Sequence, residues 1–251
     1  MAFSTQKGGV GKSTFTVLLA SILHYRLGYN VAVFDCDFPQ YSLIQMRERD
    51  LKTVMQNELL KKMAHKQFTT IKKKAYPVLQ SKADLVLEEL EAYKSRSEVQ
   101  ADVIFLDLPG TVNTAGILST LASVHYIFSP ITADRVVLES TLSFTDVLSN
   151  VLMKKKHTEI KGIHLFWNQV DGREKTPLYE NYNKVIKDLG LQLMETSITD
   201  SKRFRKEGET VAKTVFRSTL LPPDPYLMKL CRLDQFMDEF LKIIKLKGDG
   251  K

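Results

Sequence analysis

The chain reads as an α/β protein, a doubly wound, mostly parallel sheet with helices on both faces. Three observations predict this. Short apolar runs that suit buried strands alternate with longer stretches of helical period. Two of those runs end in a carboxylate, at Asp35 and Asp107. A glycine-rich turn over residues 7–14 leads directly into an apolar helix. In sheets of this kind crossovers are right-handed, and ligands sit at the C-terminal ends of the strands.

Taken in order, Met1 to Gln6 allows a first strand of about five residues, and Phe15 to Leu23 continues as a helix for which Gly28 is a suitable stop. Asn30-Val-Ala-Val-Phe-Asp35 is a short buried-type strand, followed by a charged, helix-rich stretch from Leu43 to Lys74. Tyr76-Pro-Val-Leu predicts a short strand that Pro77 keeps near an edge. Residues 82–94 have helical spacing, and Val103-Ile-Phe-Leu-Asp107 is a buried strand. Tyr126–Pro130, Ile163–Trp167 and Leu191–Thr196 supply further strands between helices. The last helix is expected from Tyr226 to Leu246, its apolar residues Leu230, Leu233, Phe236, Met237, Phe240, Ile243 and Ile244 packing on the sheet. We expect a single domain over residues 1–251, with a charged, helix-rich stretch at about 43–100.

Composition narrows the class. The chain has 251 residues, 43% of them hydrophobic and 26% charged, as in an ordinary water-facing protein. No run approaches the ~20 apolar residues of a membrane span. With the glycine-rich turn starting at Lys7, no signal peptide is expected ahead of it. Cys36 and Cys231 are far apart and form no C-x-x-C pair, which fits a reducing cytoplasm and argues against a cysteine-held metal or cluster. A net charge of +7 permits contact with nucleic acid or an anionic membrane.

The octet Lys7-Gly8-Gly9-Val10-Gly11-Lys12-Ser13-Thr14 carries the chemistry. Glycines at 8, 9 and 11 let consecutive backbone N–H groups turn inward around a phosphate. Lys12 follows as a cation for the β- and γ-phosphates, Ser13 as a hydroxyl for Mg²⁺, and the helix dipole lies beneath the anion. The usual P-loop pattern has a glycine where this chain has Gln6, and the added cation is Lys7. The octet therefore resembles the deviant Walker A motif, KGGxGK[ST], of the ParA/MinD/Soj family of P-loop NTPases.

That resemblance implies several roles. Lys7 would cross a dimer interface to the partner's nucleotide. Asp107, followed by Leu108-Pro-Gly-Thr, resembles a Walker B carboxylate that holds Mg²⁺, and Pro109-Gly110 would open a segment that senses the γ-phosphate. Asp35 and Asp37 match the family's D-x-D-P-Q, with Asp35 near Mg²⁺ and Asp37 near the attacking water. Here Phe38 is inserted before Pro39-Gln40, and Asp37 as a helix cap is the structural alternative. Asn168, just past Trp167, would read the adenine edge. In Thr196-Ser-Ile-Thr-Asp200, Thr199 stands where the family often has proline.

Two basic clusters could neutralise phosphates on nonspecific DNA. Residues 47–75 hold nine Lys/Arg against three acidic residues, and the second cluster is Lys202, Arg203, Arg205 and Lys206. The expected function is an ATP-dependent homodimerisation switch with slow Mg²⁺-ATP hydrolysis. It would act with DNA, and with a stimulating partner protein, in plasmid partition or conjugative transfer. The competing expectation is a MinD-like ATPase that docks on a membrane through the last helix, with Lys242, Lys245 and Lys247 facing anionic lipid.

Overall fold

The computed structural model describes residues 1–110, 115–152, 158–171, 177–200 and 215–246. Seven strands run in the order β3-β2-β4-β1-β5-β6-β7, and every strand pairing described is parallel. The chain divides into two compact units. One comprises Met1–Lys12, Gly110–Lys202 and Pro225–Lys251, and the other Ser13–Pro109 and Arg203–Asp224.

In the first unit β5 (Tyr126–Ile131) pairs with β1 (Ala2–Phe3) and with β6 (Gly162–Trp167), which pairs in turn with β7 (Gln192–Leu193). Side chains alternate across these strands, so each face builds its own core. Ile131, Leu165 and Trp167 pack with Leu138 and Leu142 of α6 (Arg135–Val147) and Ile186 of α7 (Leu178–Asp188). On the other face Phe128 meets Phe240 at 4.8 Å, and Phe166 meets Phe236 at 4.8 Å. Asp134 starts α6 by accepting from the Val137 N–H at 2.9 Å. A further helix, α5, covers Ala115–Ala122.

The C-terminal helix differs from the sequence expectation. It is two helices, α8 (Pro225–Leu230) and α9 (Leu233–Ile244), because Arg232 adopts φ 59° and breaks the i→i−4 ladder. The Thr199 hydroxyl donates to the Leu230 carbonyl at 3.0 Å, satisfying an acceptor that α8 leaves at its end. The first strand is also shorter than expected, two residues rather than about five.

In the second unit β2 (Val31–Asp35) lies between β3 (Val78–Gln80) and β4 (Val103–Asp107), with Asp35 in register with both Gln80 and Asp107. Helix α1 (Lys12–Ser21) passes through a π turn at Ile22–Arg26 and stops before Gly28, which takes φ 78° as the stop signal requires. The charged stretch forms α2 (Ser42–Gln56) and α3 (Glu58–Ile71), and residues 86–96 form α4 (Val86–Arg96). Asn57 separates α2 from α3 and caps the latter, its Oδ1 accepting from Leu59 and Leu60 N–H at 3.0 and 3.1 Å. Val54, Leu60 and Ala64 close over Leu220 and Leu221. Among the described residues no helix is long and apolar enough to cross a membrane.

Candidate nucleotide site

The glycine-rich loop is open where its motif needs it to be. Gly9 and Gly11 take φ 78° and 103°, conformations that would strain any side chain. A Cβ at Gly8 or Gly9 would meet no atom within 4 Å, so the backbone there is uncovered. Two anchors hold the loop. Thr5, fully buried, accepts from the Lys7 N–H at 3.3 Å and meets the Thr141 hydroxyl at 3.2 Å. Asn168 donates its side-chain amide to the Val10 carbonyl at 2.9 Å. One of its two amide N–H groups therefore supports the loop backbone.

Lys12 donates its ammonium to the Lys7 carbonyl at 3.1 Å, closing the loop on itself. Lys7's own side chain is on an exposed residue. Gly110 packs against this closure, since a Cβ there would lie 3.2 Å from Lys12 Nζ and 3.7 Å from the Lys7 carbonyl carbon. Sequence reasoning placed Gly110 in a sensing segment. The structure adds that only a glycine leaves the Lys12 ammonium undisturbed.

In the other unit Ser13 and Thr14 stand in the first turn of α1, and two carboxylates end adjacent strands in register. Asp35 and Asp107 are both 0% exposed. Asp35 Oδ2 accepts from the Leu43 and Ile44 N–H groups at 2.8 and 3.0 Å, and Oδ1 from Asp37 N–H at 3.4 Å. It thereby caps α2 from seven residues before the helix begins. Burial raises the Asp35 carboxyl above its ordinary value, and these three N–H groups oppose that rise. The Cys36 thiol between the two strand ends is pushed well up by burial, then by the Asp107 and Asp35 charges.

Asp37, the expected water-positioning residue, does not cap a helix. Tyr41, at φ 44°, precedes α2, and Asp37's backbone carbonyl accepts the Tyr41 N–H at 2.8 Å. The bond closes a turn around the inserted Phe38, whose peptide bond to Pro39 is cis. Phe38 is exposed and carries Lys82 over its ring at 5.2 Å. Gln40 accepts through its backbone carbonyl from Gln45 Nε2 at 2.7 Å.

One residue near the motif escaped the sequence reading. Arg217 Nη1 donates to Thr14 Oγ1 at 2.7 Å across a separation of 203 residues. No local pattern signals such a partner. The basic cluster Lys202, Arg203, Arg205 and Lys206 lies outside the described residues. Of the first cluster, Arg47 is used internally, donating to the Tyr76 and Thr219 carbonyls and to Thr219 Oγ1.

The donor set suits a hard cation held with a nucleotide. Ser13 offers a hydroxyl, and Asp35 and Asp107 offer carboxylate oxygens, the ligands that Mg²⁺ takes. Among the described residues no three His, Cys, Asp or Glu side chains form a metal cage.

Comparison with known proteins bears on this geometry. Residues 1–212 match the CobQ/CobB/MinD/ParA nucleotide binding domain family. The chain belongs to that family. No curated protein sequence matches significantly. Among solved structures, one similar fold is a Borrelia burgdorferi B31 protein assigned to plasmid partition and bound to AMPPNP, 16% identical, with a TM-score of 0.62 and 96% and 97% of the two chains covered. Another is the MinD cell division protein of Aquifex aeolicus, 14% identical, with a TM-score of 0.59 and 99% and 98% covered. A third is pNOB8 ParA bound to nonspecific DNA, 18% identical, with a TM-score of 0.51 and 78% and 80% covered.

Proposed function

We propose that this chain is an ATP-dependent dimerisation switch with slow Mg²⁺-ATP hydrolysis, acting with DNA in the partition or transfer of a plasmid or mobile element. The observation that carries the reading is the loop itself, uncovered at Gly8 and Gly9 and closed by Lys12 on the Lys7 carbonyl. Backbone N–H groups of the loop take the phosphates, and Lys12 offsets charge at the β/γ end. Ser13, Asp107 and Asp35 are the oxygens available to Mg²⁺, with Asp35 also fixing the start of α2. Mg²⁺, when bound, neutralises charge on the phosphates. Asp37, in the turn closed by Tyr41, orients the attacking water. Lys7 reaches the nucleotide of a second subunit, adding charge in trans as an arginine finger does. Nucleotide drives assembly because it binds the dimer better than the monomer, and hydrolysis, prompted by a partner protein, resets that population in the cytoplasm.

DNA is favoured over lipid as the surface by the fate of α9. Phe236 and Phe240 are 0% exposed, so the apolar stripe a membrane-seeking helix would offer is already used inside its own unit. The net charge of +7 supports phosphate contact. Sedimentation with DNA or with anionic vesicles, with and without ATP, tests the reading in wild type and Lys7→Ala. We expect wild type to pellet with DNA when ATP is present, and Lys7→Ala to bind ATP yet stay monomeric and in the supernatant. ATP-dependent pelleting with vesicles instead of DNA would establish the MinD-like alternative. A Lys7→Ala protein with wild-type assembly and turnover would make Lys7 a surface lysine.

A further inference from the structure

Helices α2 and α3 carry more apolar residues than their packing uses. Leu43, Met46 and Val54 of α2 and Leu60 and Ala64 of α3 are buried, and Val54, Leu60 and Ala64 share one cluster with Leu220 and Leu221. Beside that buried stripe Leu51, Met55, Leu59 and Met63 recur at every fourth residue and remain 49%, 64%, 49% and 40% exposed. A surface helix normally has one apolar stripe, and single exposed leucines are common. Two helices separated by Asn57 alone, each with a second apolar row, instead mark a surface that meets a partner. The rows are held in place. Asp35 accepts from the first turn of α2, Asn57 caps α3, and Gln67 Nε2 donates to the Leu220 carbonyl at 2.9 Å.

Charge says what kind of partner fits. Lys52 stands three residues from Met55, Lys62 three from Leu59 and Lys66 three from Met63, so each cation is one helical turn from an apolar anchor. All three are exposed and, among the described residues, none is in a salt bridge, whereas Lys61 is paired with Glu58 at 2.9 Å. We propose that this face is a docking surface for an acidic amphipathic helix of a partner protein. The partner's apolar stripe lies on the two exposed rows, and its carboxylates face the lysines. Methionine suits the role, since its unbranched thioether adapts to the side chains laid against it. Duplex DNA would use the lysines but leave the apolar rows in water. A lipid surface selects tryptophan and phenylalanine as well as leucine, and the exposed rows hold no aromatic residue. The surface lies within the second unit alone, and its assignment does not depend on the nucleotide reading.

The test uses the full chain and a fluorescent helical peptide of about five turns, with leucine on one stripe and glutamate on the rest. A second peptide keeps the leucines and replaces each glutamate with lysine. Fluorescence anisotropy should show binding of the glutamate peptide only, weakening as salt rises. Met55→Ser combined with Met63→Ser should weaken it about tenfold or more, the scale on which apolar anchors matter. Lys62→Glu combined with Lys66→Glu should abolish it and admit the lysine peptide instead. Because all four positions are exposed, melting temperatures should remain those of wild type. A wild-type protein that ignores the glutamate peptide, or binds both peptides equally, overturns the proposal. So does glutamate-peptide binding retained in both double variants. Binding of duplex DNA in place of the peptide, lost only with the lysine variant, would make the face a phosphate surface. Binding of phosphatidylglycerol vesicles in its place, lost with both variants, would make it a lipid surface.

Discussion

The glycine-rich loop and the segment at 215–221 are both parts of the chain that lack regular structure, and they are held in opposite ways. Lys7, Gly8 and Gly9 are exposed, and the loop is tied down by Thr5 behind it, Asn168 at Val10 and its own Lys12. Ser218, Thr219, Leu220 and Leu221 are buried, and side chains from α1, α2 and α3 converge on their backbone. The difference separates two tasks. A loop that must admit a polyanion keeps its donors uncovered, and gains little stability from them. A segment whose part-buried contact is Arg217 on Thr14 can bury the residues that follow it. Variants in the two places should therefore fail in different assays.

The largest effect is expected in the buried segment. Asp50→Ala removes the acceptor of three donors, Thr219 N–H, Thr219 Oγ1 and Ser218 Oγ, all in low dielectric. We expect ~3 kcal/mol of lost stability in urea unfolding, because donors left buried without a partner keep their full desolvation penalty. The Arg49 contact at 3.2 Å adds little, since Arg49 is largely in water. Loss of nucleotide affinity without loss of stability in Asp50→Ala would erase the distinction between the regions.

Next comes the loop. Gly110→Ala places a methyl 3.2 Å from Lys12 Nζ, the movable end of a flexible side chain. Folding should tolerate this within ~0.5 kcal/mol. ATP affinity should weaken roughly fivefold as the ammonium is pushed off its position. Calorimetric titration and thermal unfolding on the same sample give both halves of the prediction, and an unchanged affinity would show that Lys12 has room to spare.

The smallest effect is a pH slope in the buried region. His24 faces carbonyls on both sides, Tyr29 at Nδ1 and Lys74 at Nε2, each at 2.9 Å. Burial lowers its pKa below the ordinary 6.5, the Lys73 and Arg47 charges lower it further, and the two carbonyls oppose them without reversing the net direction. The ring also packs edge-on against Tyr25 and Tyr76, and burial pushes the Tyr76 hydroxyl up to about 12. Below pH 6.5 the unfolded chain binds a proton that the folded chain resists, so stability is full above that value and declines as pH falls through it. Urea midpoints between about pH 5 and 8 should show the decline in wild type and a flatter profile in His24→Gln.

Much of this was legible beforehand, and the reasons differ by element. Val103–Asp107 forms over the residues expected, because an uninterrupted apolar run with a terminal carboxylate has few other solutions. Gly28 ends the first helix for the local reason given by its φ. The break at Arg232 was not legible, since the apolar period runs through it and the carbonyl left at the end of α8 finds its donor, Thr199, far away in sequence. Asp35 as the cap of α2 was hidden in the same way, for capping signals are sought next to a helix and this one comes from a strand end. The motif residues declared themselves because their chemistry is packed into eight consecutive positions. Gly110 and Arg217 did not, because what matters about them is a neighbour far away in sequence.

The outermost strands have a consequence for solubility. β3 offers three residues and β7 two, and each is paired on one side. A row of unpaired peptide groups is a template on which another chain can add a strand, and its hazard grows with its length. Pro77, which lacks an N–H, directly precedes β3 and shortens that template further. An orderly assembly of this protein would then join through side chains and loops, and disorderly β-aggregation would find very little backbone on which to start.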